Sequence, residues 1–242
     1  MTDEELQRYA RQIVLPSIGS GGQKLLGQAH VTIIGCGGLG TIAAAYLAAA
    51  GIGRLRVIDP GRVELSNLHR QWIYAGAPEG SDKVKVFQSH VRDSNPHVDV
   101  EAICASYDQN HLANTQLVLD CTDNGRVRAQ IARDCWTKNL TLISGSVLGL
   151  SGQVTTFKNA PTNPCRECLF PDQDDPTDQC AALGVLGPVV GVIGAIQATE
   201  AIRNITTFGT SLVGKLLLID AYDFEIRKIS VKKRSHCHFC QI

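Results

Sequence analysis

Two sets of residues in this 242-residue chain have types and spacings that chemistry could use. The first is built from glycines and charges. Gly35, Gly37 and Gly40 satisfy G-x-G-x-x-G, and an acid, Asp59, lies 19 residues past Gly40. Absent β-carbons let backbone approach a phosphate. A helix starting there offers free N–H groups and roughly half a positive charge, and the acid can accept a hydrogen bond from a ribose hydroxyl. Asn67, Arg70 and Gln71 follow, then Lys83, then Asp123. Together they offer amides for a base or sugar, cations for a polyphosphate and a carboxylate for Mg²⁺. A nicotinamide-dependent oxidoreductase would use the glycines and Asp59 but leave Arg70, Lys83 and Asp123 idle. Nucleotidyl transfer uses them all, because charge moves onto the leaving pyrophosphate, where fixed cations and a metal stabilise it without reorganisation. Each residue alone has a plainer reading. The glycines could make a tight turn in an α/β core, Asn67 a turn cap, Arg70 a surface ion pair and Asp123 a helix cap.

The second set is sulfur. Cys165-x-x-Cys168 and Cys237-x-x-Cys240 are two C-x-x-C pairs 69 positions apart. Four thiolates suit tetrahedral Zn²⁺, and four protein ligands leave no open position, so such a site is structural. Reduced surface knuckles or a redox disulfide are the alternatives. Arg166, Lys232, Lys233 and Arg234 can offset the charge of the thiolates, and His236 and His238 read as bystanders. Cys180 follows a polar, acidic stretch from Pro171 and reads as a small buried residue, with no nearby cation to lower its pKa. Cys36, Cys104, Cys121 and Cys135 read as packing residues.

These residues need elements to hold them. Val31 to Ile34 reads as a strand running into the glycine turn, Ala43 to Ala50 as a helix stopping at Gly51, and Leu55 to Ile58 as a strand ending on Asp59. Asn67 to Gln71 then sits past the carboxyl end of a strand, where open α/β sheets bind ligands. Lys83 stands where a polar loop meets the next helix. Val98 to Ile103 and Gln116 to Leu119 read as further strands, the latter delivering Asp120 to Gly125 to the same edge. At the N-terminus Thr2-x-x-Glu5 is a capping box, and Leu6, Tyr9, Ala10 and Ile13 share a helix face that ends before Pro16. Arg11 on that helix reads as a solvated charge, and Gly19 to Gly22 as a loop. Gly184 to Pro188 opens an apolar, small-residue helix through Ile205. Lys215 to Asp220 and Ile226 to Lys232 alternate like paired strands that extend the sheet into a platform for a partner.

Composition narrows the class. At 44% apolar the chain can bury a sizeable core, and 23 basic against 23 acidic residues leave no footprint for nucleic acid. No apolar run approaches the roughly 18 residues of a membrane span. The polar N-terminus is unlike a signal peptide. Nine cysteines, an odd number, do not make a disulfide framework in a chain this long, so the expected setting is cytoplasmic.

With these motifs in view, the chain resembles the ubiquitin-activating superfamily, most closely its bacterial ThiF/MoeB/HesA adenylyltransferases of thiamine and molybdopterin biosynthesis. Arg8-Tyr-Ala-Arg-Gln12, Gly35-x-Gly-Gly-Leu-Gly40, Ser66-Asn-Leu-His-Arg-Gln71, Lys83 and Asp120-Cys-Thr-Asp-Asn124 carry the resemblance, which covers nearly the whole chain. It implies ATP as substrate, with Gly38 near the phosphates, Asp59 on the ribose, Asn67, Arg70 and Lys83 on the triphosphate and Mg²⁺ on Asp123. Ser66 and Asn124 belong to the same nucleotide site. It implies that Arg11 reaches a nucleotide, that the chain is a homodimer with a shared site, and that the cysteine pairs bind zinc. It gives Cys180 a role in some relatives, where the carrier is taken up as a thioester or acyl persulfide.

The substrate so implied is the C-terminal glycine of a ubiquitin-like sulfur-carrier protein ending in Gly-Gly. A cysteine desulfurase or sulfurtransferase is a candidate second partner. Cys168 to Asp172 and Gly184 to Gly191 look more like the thiamine branch. Gly61, after Pro60, stands where the family usually carries a second acid. The expected fold is a single α/β domain over 1–242, a Rossmann-like, mostly parallel sheet continued by antiparallel strands and the zinc knot. A nucleotide-binding half covers about 1–150, and a carrier-binding and zinc half about 151–242. Besides the oxidoreductase, an inactive scaffold relative is the other alternative. It should have lost a charged site residue, and none is missing.

Overall fold

The structure is a computed structural model that describes residues 1–171 and 184–240. Cys180 and most of the acidic stretch before it lie outside the described residues. In chain order the elements are α1 (Asp3–Arg8), α2 (Ala10–Ile13), α3 (Gly19–Gln28), β1 (His30–Ile34), α4 (Gly38–Ala49), β2 (Arg54–Ile58), α5 (Lys83–Ser94), β3 (Asp99–Ile103), β4 (Leu117–Asp120), α6 (Gly125–Thr137), β5 (Thr141–Leu148), β6 (Ser151–Phe157), α7 (Arg166–Leu169), α8 (Gly187–Thr206), β7 (Lys215–Asp220) and β8 (Glu225–Ser230).

The strands form one eight-stranded sheet in the order β3-β2-β1-β4-β5-β6-β7-β8. The first five in that order run parallel, and β6, β7 and β8 continue the sheet antiparallel. β5 and β6 are not among the strands expected above. The central parallel strands β2, β1 and β4 are buried on both faces, whereas the edge strand β3 is mostly half-buried. Val31 and Ile33 of β1 point into a core with α3, α4, α5 and α8, whereas Ile34 points into a second core with Ile131 and Cys135 of α6. α8 lies across β5 and β6 at close range. A β-carbon on Gly145 would come 2.4 Å from Gln197, and one on Gly152 2.4 Å from Ile193. Among the described residues no helix is long and apolar enough to cross a membrane.

The capping box forms as expected, with Glu5 N–H donating to Thr2 Oγ1 and Thr2 N–H to Glu5 Oε2. Gly19 to Gly22, however, is not a loop but the first turn of α3. Glycine disfavours helix by about 1 kcal/mol per residue, and tertiary contacts overrule that here. Gly22 fits against Ile18 and Thr206, and buried Gln23 donates to the Ala50 carbonyl at 2.9 Å and accepts from Gln12 at 2.6 Å. Gly19, at φ +60°, supplies the left-handed residue that turns the chain from α2 into α3. The N-terminal segment is therefore fixed to its own chain. Buried Tyr9 accepts from Asn95 at 2.9 Å, and Arg8 donates to the Ser94 carbonyl at 2.8 Å.

Candidate active site

β1 feeds α4 and β2 on one side, and β4 feeds α6 and β5 on the other, so the sheet changes winding direction between β1 and β4. Crevices at the carboxyl ends of such strands are where α/β sheets bind ligands. The glycine turn leaves β1 there, and the loop after β4 lies beside it. A β-carbon on Gly35 would meet the Cys121 carbonyl oxygen at 2.7 Å and Thr122 N at 3.2 Å.

The glycines have separate reasons. Gly35 takes φ +94°. A β-carbon on Gly40 would fall 1.8 Å from the Gly35 carbonyl oxygen, so the turn closes on itself. One on Gly38 would meet Val190 of α8 at 2.5 Å, which makes this glycine a packing requirement. Gly37 is different. Its nearest neighbour in that direction is the Gln71 amide at 3.7 Å, so the protein itself leaves the position open. α4 starts on this turn with Gly37 as its N-cap and no side-chain cap, leaving its first N–H groups to an incoming anion.

Asp59 ends β2 with both oxygens oriented by backbone. Oδ2 accepts from Cys36 N–H and Oδ1 from Gly61 N–H, each at 2.6 Å. A β-carbon on Gly61 would lie 2.7 Å from Asp59 Oδ1, so glycine suits this turn back onto the acid. Asn67 is buried, and its Oδ1 accepts from Lys83 at 3.2 Å and from Gln71 at 2.9 Å. Gln71, which sequence reasoning noted only as a second amide, thus links Asn67 to the open side of Gly37. Ser66 is exposed and within reach of Asn67 and Glu64. Arg70 packs its stem on Gly38 and donates to the Ser66 carbonyl at 3.3 Å. Among the described residues neither Arg70 nor Lys83 pairs with a carboxylate, and both cations stand beside the glycine turn.

Asp123 does not cap α6. Asn124 does, its Oδ1 accepting from Val127 N–H at 3.0 Å. Asp123 is exposed in the loop beside the glycine turn. The thiols nearby are inert. Burial pushes Cys36 up to about 12, and Cys121 is also raised by burial. Cys104 corrects the expectation of packing, since it is exposed just past β3.

Arg11 is not brought to this crevice. Gln12 donates to the Ala50 carbonyl and Tyr9 abuts Gly51, both at the C-terminal end of α4. The glycine turn is at its other end. Twelve residues of helix span about 18 Å, so Arg11 lies at the opposite edge of its own sheet.

The four cysteines do meet. Cys165, Cys168, Cys237 and Cys240 are buried, with sulfur atoms all within 4.8 Å of one another. Cys165 to Cys237 is 3.6 Å, Cys168 to Cys240 3.5 Å and Cys165 to Cys168 3.9 Å. A tetrahedron with Zn–S of 2.3 Å requires about 3.8 Å between sulfurs, so the quartet fits zinc. The Arg234 N–H also donates to Cys168 sulfur at 3.4 Å. Arg166, expected to offset the thiolates, lies over the Phe170 ring and lines a polar cavity of ≈ 30 Å³.

Comparison with known proteins places this geometry. A family model described as the ThiF family matches residues 9–240. The molybdopterin-synthase adenylyltransferase of Salmonella typhimurium is 37% identical over 244 residues, covering 99% of this chain and 98% of the relative. The sulfur carrier protein adenylyltransferase of Thermus thermophilus is 38% identical over 250 residues, covering 99% and 92%. The adenylyltransferase and sulfurtransferase MOCS3 of Drosophila grimshawi is 38% identical, covering 99% of this chain and 55% of the relative. Among solved structures, E. coli MccB with ATP superposes at a TM-score of 0.84 and 22% identity, over 97% of this chain and 75% of that one, which shows a shared fold.

Proposed function

Because the chain belongs to the ThiF family, we propose that it adenylates the C-terminal glycine of a ubiquitin-like sulfur-carrier protein at the expense of ATP. The observation that carries this reading is a pair of cations, Arg70 and Lys83, with no carboxylate partner among the described residues, held beside a glycine turn and an exposed carboxylate, Asp123, at the winding reversal of the sheet. The carrier carboxylate attacks the α-phosphorus, the bond to the bridging oxygen breaks, and pyrophosphate leaves. A carboxylate is ionised at neutral pH, so no general base is needed. Positioning and charge stabilisation supply the rate. Arg70, Lys83 and the start of α4 hold phosphate oxygens, Asn67 fixes Lys83, and Asp59 takes the ribose. Ser66 and Asn124 complete the walls. Asp123 would hold Mg²⁺, which would supply charge stabilisation for the pyrophosphate leaving group. An oxidoreductase would have no use for these cations.

The carrier is assigned to the antiparallel end of the sheet. Among the described residues β8 is the last strand of the sheet with no partner on its outer side, and Tyr222, Phe224, Ile226 and Ile229 around it are exposed, a combination that otherwise invites aggregation. The zinc knot ties the chain after β8 to α7 and so stiffens this end. A sulfurtransferase or cysteine desulfurase acts next, as the name of the MOCS3 relative suggests. Thiamine or molybdopterin synthesis is decided by which carrier binds. The motifs at Cys168 and Gly184 lean to thiamine, and the name of the Salmonella relative leans to molybdopterin. Arg11 serves a second copy of the chain. It cannot reach its own site, and apolar Leu25, Tyr46 and Val192 face outward on α3, α4 and α8, a surface suited to a symmetric homodimer. Cys180 is the candidate thiol for covalent uptake.

Exchange of labelled pyrophosphate into ATP, dependent on an added Gly-Gly-ending carrier, tests the reaction. Asp123→Ala should lose on the order of 10²-fold or more. Full exchange in that variant would remove Asp123 from the mechanism.

A further inference from the structure

The motif Asp120-Cys-Thr-Asp123 holds two acids, and the structure gives them different environments. Asp120, the last residue of β4, is fully buried. Its Oδ2 accepts from Ser144 Oγ at 2.8 Å and faces Arg128 Nε at 3.3 Å. Its Oδ1 accepts from Thr122 N–H at 3.1 Å and Thr122 Oγ1 at 2.7 Å. The lone pairs of Asp120 are thus consumed by the protein, and no ligand reaches it. Arg128 points back from the first turns of α6, and its Nη2 donates to the Thr122 carbonyl. Thr122 is therefore pinned through N–H, hydroxyl and carbonyl. On the other side Asn124 is pinned by its cap on α6. Asp123, between them, has no protein partner among the described residues.

We propose that Asp120 and Arg128 are positioning residues that aim the Asp123 carboxylate into the nucleotide crevice. This deepens the reading above and rests on Asp123 holding Mg²⁺ with ATP. A buried carboxylate is tolerated only when paired and hydrogen-bonded, and here the pair spans the one loop whose exposed acid the chemistry needs. Groups that orient a metal-binding carboxylate typically matter by 10- to 100-fold. Arg128 also lines the polar cavity with Ser144, Ser146, Gln153, Thr155 and Arg166, so truncating its side chain would enlarge that cavity.

The test is calorimetric binding of ATP with and without Mg²⁺ to full-length protein. The gain in affinity that Mg²⁺ confers is compared for wild type, Asp123→Ala, Arg128→Ala, Arg128→Lys and Asp120→Asn, with melting temperatures alongside. Asp123→Ala should abolish the gain. Arg128→Ala should reduce it roughly 10-fold or more while ATP alone binds within about threefold of wild type. Millimolar guanidinium should restore it in Arg128→Ala but not in Asp123→Ala. Should Asp120→Asn not fold, Arg128→Lys, which keeps the charge but loses the second donor, serves as the milder case. Loss in Asp123→Ala with a full Mg²⁺ gain in folded Arg128→Ala would overturn the positioning role. An unchanged gain in Asp123→Ala would instead sink the reading of Asp123 on which it rests.

Discussion

Gly37 and Gly40 stand three residues apart in one turn, and the structure assigns them opposite reasons for being glycine. A β-carbon on Gly40 would lie 1.8 Å from the Gly35 carbonyl oxygen, short of ordinary contact by roughly 1.6 Å. The oxygen is backbone and the β-carbon would be fixed rigidly to backbone, so no side chain can swing aside and the turn itself must open. Overpacking of this kind costs about 1–3 kcal/mol or more. At about 2–4 °C per kcal/mol for a domain of this size, Gly40→Ala should lower the melting temperature by roughly 2–12 °C. The displaced turn should also lose ATP, since an error near 1 Å at a reacting centre costs on the order of 10²-fold. Gly37 has extended backbone at φ −83° and nothing nearer than 3.7 Å. Gly37→Ala should therefore melt within about 1 °C of wild type. Its methyl group would nevertheless project where the first N–H groups of α4 must approach a phosphate, so ATP affinity should fall about 10-fold or more. Scanning calorimetry and ATP titration on the two variants separate the cases. Wild-type ATP affinity in Gly37→Ala would refute the phosphate approach, and an undisturbed melting temperature in Gly40→Ala would refute the closed turn.

Elemental analysis should find one zinc per chain, and Cys240→Ser should lower both metal content and melting temperature, because structural zinc contributes folding energy directly; a metal-free protein of equal stability would contradict the site. Mixing Arg11→Ala with Asp123→Ala under conditions that exchange subunits should restore adenylation, since each mixed dimer would hold one pocket with both residues intact; no recovery despite proven exchange would sink the shared site. Burial holds His30 below the ordinary histidine range, opposed by a backbone hydrogen bond with Asn114 and the charge of Glu101 and helped by the charges of Arg56 and Arg54. The unfolded chain then takes up a proton first, so stability present at neutral pH is lost as pH falls through about 6.5. His30→Gln should flatten the fall in melting temperature between pH 7.5 and 5.5, and parallel curves for the two proteins would exclude His30 as a contributor.

The sequence alone determined the parts whose signals are local. A β-branched run into G-x-G-x-x-G, a helix and a strand ending on Asp59 can hardly fold otherwise, because period and glycine placement act within a few residues. The cysteine pairs announced their site by spacing, and the order of charged residues after each strand put them at one edge. What it could not supply was decided by contacts between distant residues. Gly19 to Gly22 reads as a loop until Ile18, Thr206 and Ala50 are packed beside it. Cys104 reads like the other thiols until β3 is seen to end at the surface. Two neighbouring acids, Asp120 and Asp123, are alike in sequence. Only Arg128 from the next helix and Ser144 from the next strand, closing over Asp120 while leaving Asp123 in solvent, make one a structural anchor and leave the other open to a ligand, because burial with partners and exposure without them are properties of the packed chain.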